Sequence, residues 1–111
     1  MQQLNQQFTS QPNGHTFNVL YEATEQSILL NITPEFDYDD IEQIAEIFWQ
    51  AVSDAEVVEE IPGADRINYR FRYNQHYFVL NFEVYSQSCW IEVEAGSSHP
   101  ALEVLLAGFS R

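Results

Sequence analysis

The side chains of this sequence that can do chemistry are mostly carboxylates. Between Glu35 and Asp65 there are 11 of them and no basic residue. Carboxylates in such numbers serve general acid–base catalysis, cation binding or the docking of a basic partner. Asp37, Asp39 and Asp40 are spaced like the opening ligands of a calcium loop, but the turn glycine and the later bidentate Glu of such a loop are missing. Helix-start chemistry explains them better. Asp37 can cap orphan N–H groups, and Asp39, Asp40 and Glu42 fall where the helix dipole favours negative charge. The functional alternative is an anionic docking surface to which Asp37, Asp39, Glu42, Glu46, Asp54, Glu56, Glu59 and Glu60 contribute, of the kind used by inhibitors, immunity proteins, nucleic-acid mimics and secretion chaperones.

Other reactive groups are sparse. His15, His76 and His99 stand alone, without His-x-His or His-x-x-x-His spacing, so a zinc or catalytic site would have to be assembled by the fold. Cys89 is the single cysteine. It excludes an intramolecular disulfide, and with no base beside it in sequence to lower its thiol pKa it reads as a core residue. No phosphate-cradling glycine loop and no serine nucleophile elbow is present. The sequence therefore points to no catalytic residue, metal site or cofactor. The enzyme alternative is a small carboxylate-based or divalent-metal site formed only in three dimensions.

These groups need elements to hold them. A chain of 111 residues, 45% hydrophobic with 8 Phe, 6 Tyr and 2 Trp, is enough for one well-filled core. Residues 1–14 are glutamine-rich and contain Pro-Asn-Gly, so a flexible tail or weakly docked arm without a fold of its own is expected there, which leaves 15–111 as one domain. Period-2 alternation at Phe17, Val19 and Tyr21, and again at Ile28, Leu30 and Ile32, predicts a hairpin. Pro34 ends it. Ile41, Ile44, Ala45, Phe48, Ala51 and Val52 then recur at helical spacing, with Trp49 at the edge of the stripe. From Ala55 the pattern returns to strands, in AEVVEEI, RINYRFRY, YFVLNFEVY and SCWIEVEA. A last helix begins near Pro100, after a cap at Ser98 or His99, and carries Leu102, Leu105, Leu106 and Phe109. The expected class is α+β: an antiparallel sheet of about six strands, in the order β-β-α-β-β-β-β-α, with two helices on its apolar face.

Register follows from the turns. A tight turn at Asn74-Gln75 sets Phe71 opposite Phe78, Tyr69 opposite Leu80 and Ile67 opposite Phe82. A tight turn at Ser86-Gln87 sets Val84 opposite Cys89, Phe82 opposite Ile91 and Leu80 opposite Val93. Both keep apolar side chains on one face. The other face then carries Arg66, Asn68, Arg70 and Arg72, beside Tyr77, Val79, Asn81, Glu83 and Tyr85, beside Trp90, Glu92 and Glu94. This register places Arg70 across from Val79 and Glu94. Such a face is either an ordinary solvated sheet surface with cross-strand ion pairs or a recognition or dimer face presenting Arg70, Arg72, Tyr77, Tyr85 and Trp90.

Charge selects among partners. Seventeen acids face four bases, for a formal net charge of −13. Residues 1–65 hold 13 of the acids and no base, with Glu83, Glu92, Glu94 and Glu103 completing the set. Such a field repels nucleic-acid phosphates and anionic membranes and attracts basic proteins. No long apolar run and no charged n-region followed by an apolar h-region is present, so a cytoplasmic protein without membrane spans is expected. Gly63-Ala64-Asp65-Arg66, the strand YRFRY and Tyr85-Ser86-Gln87-Ser88-Cys89-Trp90-Ile91-Glu92, over about residues 55–95, resemble a small bacterial domain family of unknown function. The resemblance implies a compact bacterial protein and transfers no activity or site residue. The expected function is a non-enzymatic interaction module. It would bind a basic protein through Asp39, Glu42, Glu46, Glu56, Glu59 and Glu60, or pair with itself as a homodimer through the aromatic sheet face.

Overall fold

The computed structural model describes residues 5–9, 14–22, 26–94 and 100–109, with the side chains of 5–9 and of Pro100 left aside. Its elements are β1 (Asn5–Thr9), β2 (Thr16–Glu22), β3 (Ser27–Thr33), a 3-10 turn (Tyr38–Asp40), α1 (Ile41–Ala51), β4 (Glu56–Pro62), β5 (Arg66–Tyr73), β6 (His76–Glu83), β7 (Ser88–Val93) and α2 (Pro100–Gly108). The described strands form one antiparallel sheet in the order β1-β2-β3-β7-β6-β5-β4. The six strands and two helices expected from the sequence are present in their expected order. A seventh strand, β1, lies within the stretch to which the sequence reading gave no fold. Its pairing with β2, from Asn5↔Leu20 to Thr9↔Thr16, is a main-chain ladder that apolar periodicity does not announce.

Alternation builds the core. Phe17, Val19 and Tyr21 of β2, Ile28, Leu30 and Ile32 of β3, and Ile67, Tyr69, Phe71 and Tyr73 of β5 are all buried on one face. Helix α1 lays Ile41, Ile44, Ala45, Ile47 and Phe48 onto that face. Phe48 is the hub: its ring lies 5.4 Å from Phe71, 5.4 Å from Phe109 just past α2, and 6.5 Å from Phe17. Both helices therefore cover the same side of the sheet. The start of α1 follows the expected acid chemistry in a tighter geometry, because a 3-10 turn precedes the helix. There the Asp37 N–H donates to the Asp40 carboxylate at 2.8 Å. Pro100 opens α2 as expected, while the proposed caps Ser98 and His99 lie outside the described residues.

Close packing sets one glycine. A Cβ at Gly108 would fall 2.6 Å from Tyr73 Oη and 2.9 Å from its Cζ, so the bare backbone is what lets α2 approach β5.

The two hairpins differ in how they meet the expected register. Asn74 and Gln75 adopt positive φ (53° and 72°), as a two-residue turn of the I′ type requires. Phe71↔Phe78, Tyr69↔Leu80 and Ile67↔Phe82 pair as expected. The β6–β7 register is corrected by two residues: Phe82 pairs with Cys89, Leu80 with Ile91 and Phe78 with Val93. The reason is the turn, which holds four residues, 84–87, instead of two. The Gln87 side chain fixes it. Its Oε1 accepts from the Phe36 N–H at 2.9 Å, and its Nε2 donates to the carbonyls of Phe36 at 2.8 Å and Val84 at 2.9 Å. A shift of two leaves the side chains within β6 and β7 on their expected faces.

Candidate functional site

Two surfaces hold the residues singled out from the sequence. The first is the sheet face away from the helices, where β5 presents Arg70 and Arg72, β6 presents Tyr77 and β7 presents Trp90. Arg70 is fully engaged. Its Nε and Nη2 donate to the two Glu94 oxygens at 3.0 and 3.1 Å, its Nη1 donates to Glu59 at 3.2 Å, and its Cζ lies 5.9 Å from the Tyr77 ring centroid. The hydrogen bonds to Glu94 and then to Glu59 raise its already high pKa. The expected Arg70–Glu94 pair thus exists, reached diagonally across the corrected register, in which Val79 faces Glu92. Arg72 donates to Glu56.

Between these pairs the face is knitted by amides. Asn68 donates to Asn81, and the buried Asn81 side chain donates onward to the carbonyls of Val79 and Trp90, both at 3.3 Å. Trp90 is half-buried and lies beside Leu29, its register partner on β3. An open depression of about 540 Å³ runs there past Leu20, Leu29, Asn31 and Trp90. Tyr85 is placed differently from its expected position on the strand. It sits in the 84–87 turn, 85% exposed, and lines a second open depression with Asp65, Arg66 and Glu83. The longer turn takes it out of the sheet.

The second surface is acidic, and the fold divides it. Glu56 and Glu59 lie on the sheet side that faces Arg72 and Arg70 and are held by them. Glu60 lies on the helix side, opposite Tyr69 in the ladder. Glu42 and Glu46 are one turn apart and exposed on α1, on the flank whose Trp49 sits 5.8 Å from the Tyr69 ring and 5.4 Å from that of Phe71. Asp39 is exposed in the 3-10 turn. Among the described residues Glu42, Glu46 and Glu60 form no ion pair.

Tyr69 is the residue that sequence reasoning treated only as core. It is 4% exposed, and its hydroxyl has no hydrogen-bond partner among the described residues. Burial raises its pKa most, followed by the charges of Glu60 and Glu42, with Tyr38 and Glu46 adding less. The available signal was a Tyr, not a Phe, at an inward strand position beside acid-rich segments.

Two further reactive groups, Cys89 and His15, lie in the core. Cys89 is buried, and desolvation pushes its thiol pKa well up, so it stays a protonated core side chain. His15 is buried with Nε2–H donating to the Glu35 carbonyl at 3.1 Å, and Asp40 lies 3.9 Å away. Among the described residues no cluster of three His, Cys, Asp or Glu side chains is arranged to hold a metal ion, and no helix is long and apolar enough to cross a membrane.

Fold and surfaces together define an antiparallel α+β domain with two helices on one sheet face, arginine–glutamate pairs on the outer face and an acidic flank that forms no ion pair among the described residues. The chain belongs to DUF3630, a family described as a protein of unknown function, whose model matches residues 17–110. No curated protein and no solved structure matches it.

Proposed function

We propose that this protein is a non-enzymatic cytoplasmic interaction module that binds a basic protein through the acidic flank formed by α1 and β4. The carrying observation is the placement of charge. Arg70 and Arg72 are consumed by Glu94, Glu59 and Glu56, whereas Glu42, Glu46 and Glu60 remain exposed without a basic partner among the described residues. With a net charge of −13 around them, these groups favour a cationic protein and repel nucleic acid. Rim charges of this sort act mainly on the association rate and its salt dependence.

The test is affinity capture from a lysate of the source organism at low salt, with salt-gradient elution and mass spectrometry. The expected result is one basic protein that the wild type retains and an E42K/E46K/E60K variant does not. Equal retention by both removes this flank as the docking surface. Self-association through the outer sheet face is the second reading, favoured by exposed Leu29 beside Trp90 and by exposed Tyr77 on the same face. Sedimentation of the purified protein decides it: a dimer lost on Tyr77→Ser supports that face, and a monomer at all concentrations removes it.

A further inference from the structure

β4 ends the described sheet, with β5 on one side and no described strand on the other. All seven of its residues are exposed. Its register slips between Val57 and Glu59, so Val58 is the extra residue of a bulge. A free edge with exposed Val57, Val58 and Ile61 is a template for another strand.

Charge decides which strand. In symmetric antiparallel pairing with a second copy, a register centred on Val58 would set Glu56 against Glu60 and one centred on Glu59 would set Glu59 against itself, and like charges across a ladder destabilise it. A basic strand reverses the sign. On the outer side Glu56 and Glu59 already have their arginines, so the unmet charge lies on the helix side, at Glu60, Glu42 and Glu46. The buried, unpartnered Tyr69 hydroxyl lies under the combined influence of these three carboxylates. Glu60 lies on β4 opposite Tyr69, and Glu42 and Glu46 are exposed on the α1 flank whose Trp49 packs on the Tyr69 ring, so these carboxylates supply acceptors for an ammonium or guanidinium head.

Building on the proposed function, we propose that an extended lysine- or arginine-bearing segment of the partner protein adds to the free edge of β4 as a further strand. Its basic side chains on the helix side are seated among Glu42, Glu46 and Glu60. Main-chain hydrogen bonds along β4 supply affinity, and the carboxylates select basic residues at every second position of the added strand.

The test uses two synthetic peptides of about nine residues, a strand's length. Both carry the same lysines at alternate positions. One has valine between them and the other proline, which has no N–H to offer a ladder. Each is titrated into the 15N-labelled full chain at low salt. The valine peptide is expected to slow amide exchange within residues 56–62 and to bind at least roughly ten-fold more tightly than the proline peptide. E42Q/E46Q/E60Q is expected to weaken it by a similar factor without lowering the thermal melt. Equal binding of both peptides, with shifts outside β4, overturns strand addition and leaves acidic docking standing. Undiminished binding to the triple variant overturns the seat among the three glutamates. Binding of neither peptide overturns the docking reading as well.

Discussion

At Tyr69 a phenol hydroxyl is buried without a hydrogen-bond partner among the described residues, in reach of negative charge. Leaving such a group unsatisfied costs about 1–3 kcal/mol, so Tyr69→Phe is expected to hold or raise stability at neutral pH. Its raised pKa adds a pH signature. The ordinary value is 10.0; above it the unfolded chain loses this proton while the folded protein retains it, so stability is complete below about pH 10 and falls as pH rises further. The slope approaches about 1.4 kcal/mol per pH unit. Urea unfolding across pH 8–11 is expected to show a steeper alkaline decline for wild type than for Tyr69→Phe, and parallel curves would remove the assignment. The hydroxyl's isolation was not legible beforehand, because the presence of a tyrosine at an inward strand position does not say whether its hydroxyl finds a partner. Glu42 and Glu46 were legible, since a spacing of four on a helix fixes a shared flank.

Elements carry the next lesson, most clearly in the two hairpins of the β5–β6–β7 meander. Apolar alternation fixes which face a side chain takes, and slips of two residues satisfy it equally well. The Asn74-Gln75 turn was read correctly because its two residues sit directly between the apolar runs. The 84–87 turn was not, because its length is fixed by Gln87 reaching across to Phe36, which local sequence does not display. Gln87→Ala would leave the partly buried N–H and carbonyl of Phe36 without these partners, and a loss of about 1–3 kcal/mol is expected in chemical denaturation. A change within about 0.3 kcal/mol would mean that water replaces the clamp without penalty. β1 was missed for a related reason: its ladder with β2 is main-chain pairing, to which side-chain periodicity is blind.

Over the whole molecule, self-repulsion competes with local pairing. Salt screens both the net charge of −13 and the exposed ion pairs of Arg70 and Arg72, with opposite effects on stability. Exposed pairs are worth about 0–1 kcal/mol each, so repulsion among the unmatched acids dominates. Raising NaCl from about 10 mM to 0.5 M is expected to increase Tm in calorimetry, at roughly 4–8 °C per kcal/mol gained. A fall in Tm would show that the ion pairs outweigh the repulsion. The strand order has its own outcome during synthesis. β3 finds its second neighbour only in β7, through Ile28↔Ile91 and Leu29↔Trp90. β7 leaves the ribosome after α1 and β4–β6 have been made, so β1–β3 wait with one side bare until residues 88–93 follow. Closure is then a late, long-range event, and the nascent chain is most exposed to mispairing in the interval before residues 88–93 emerge.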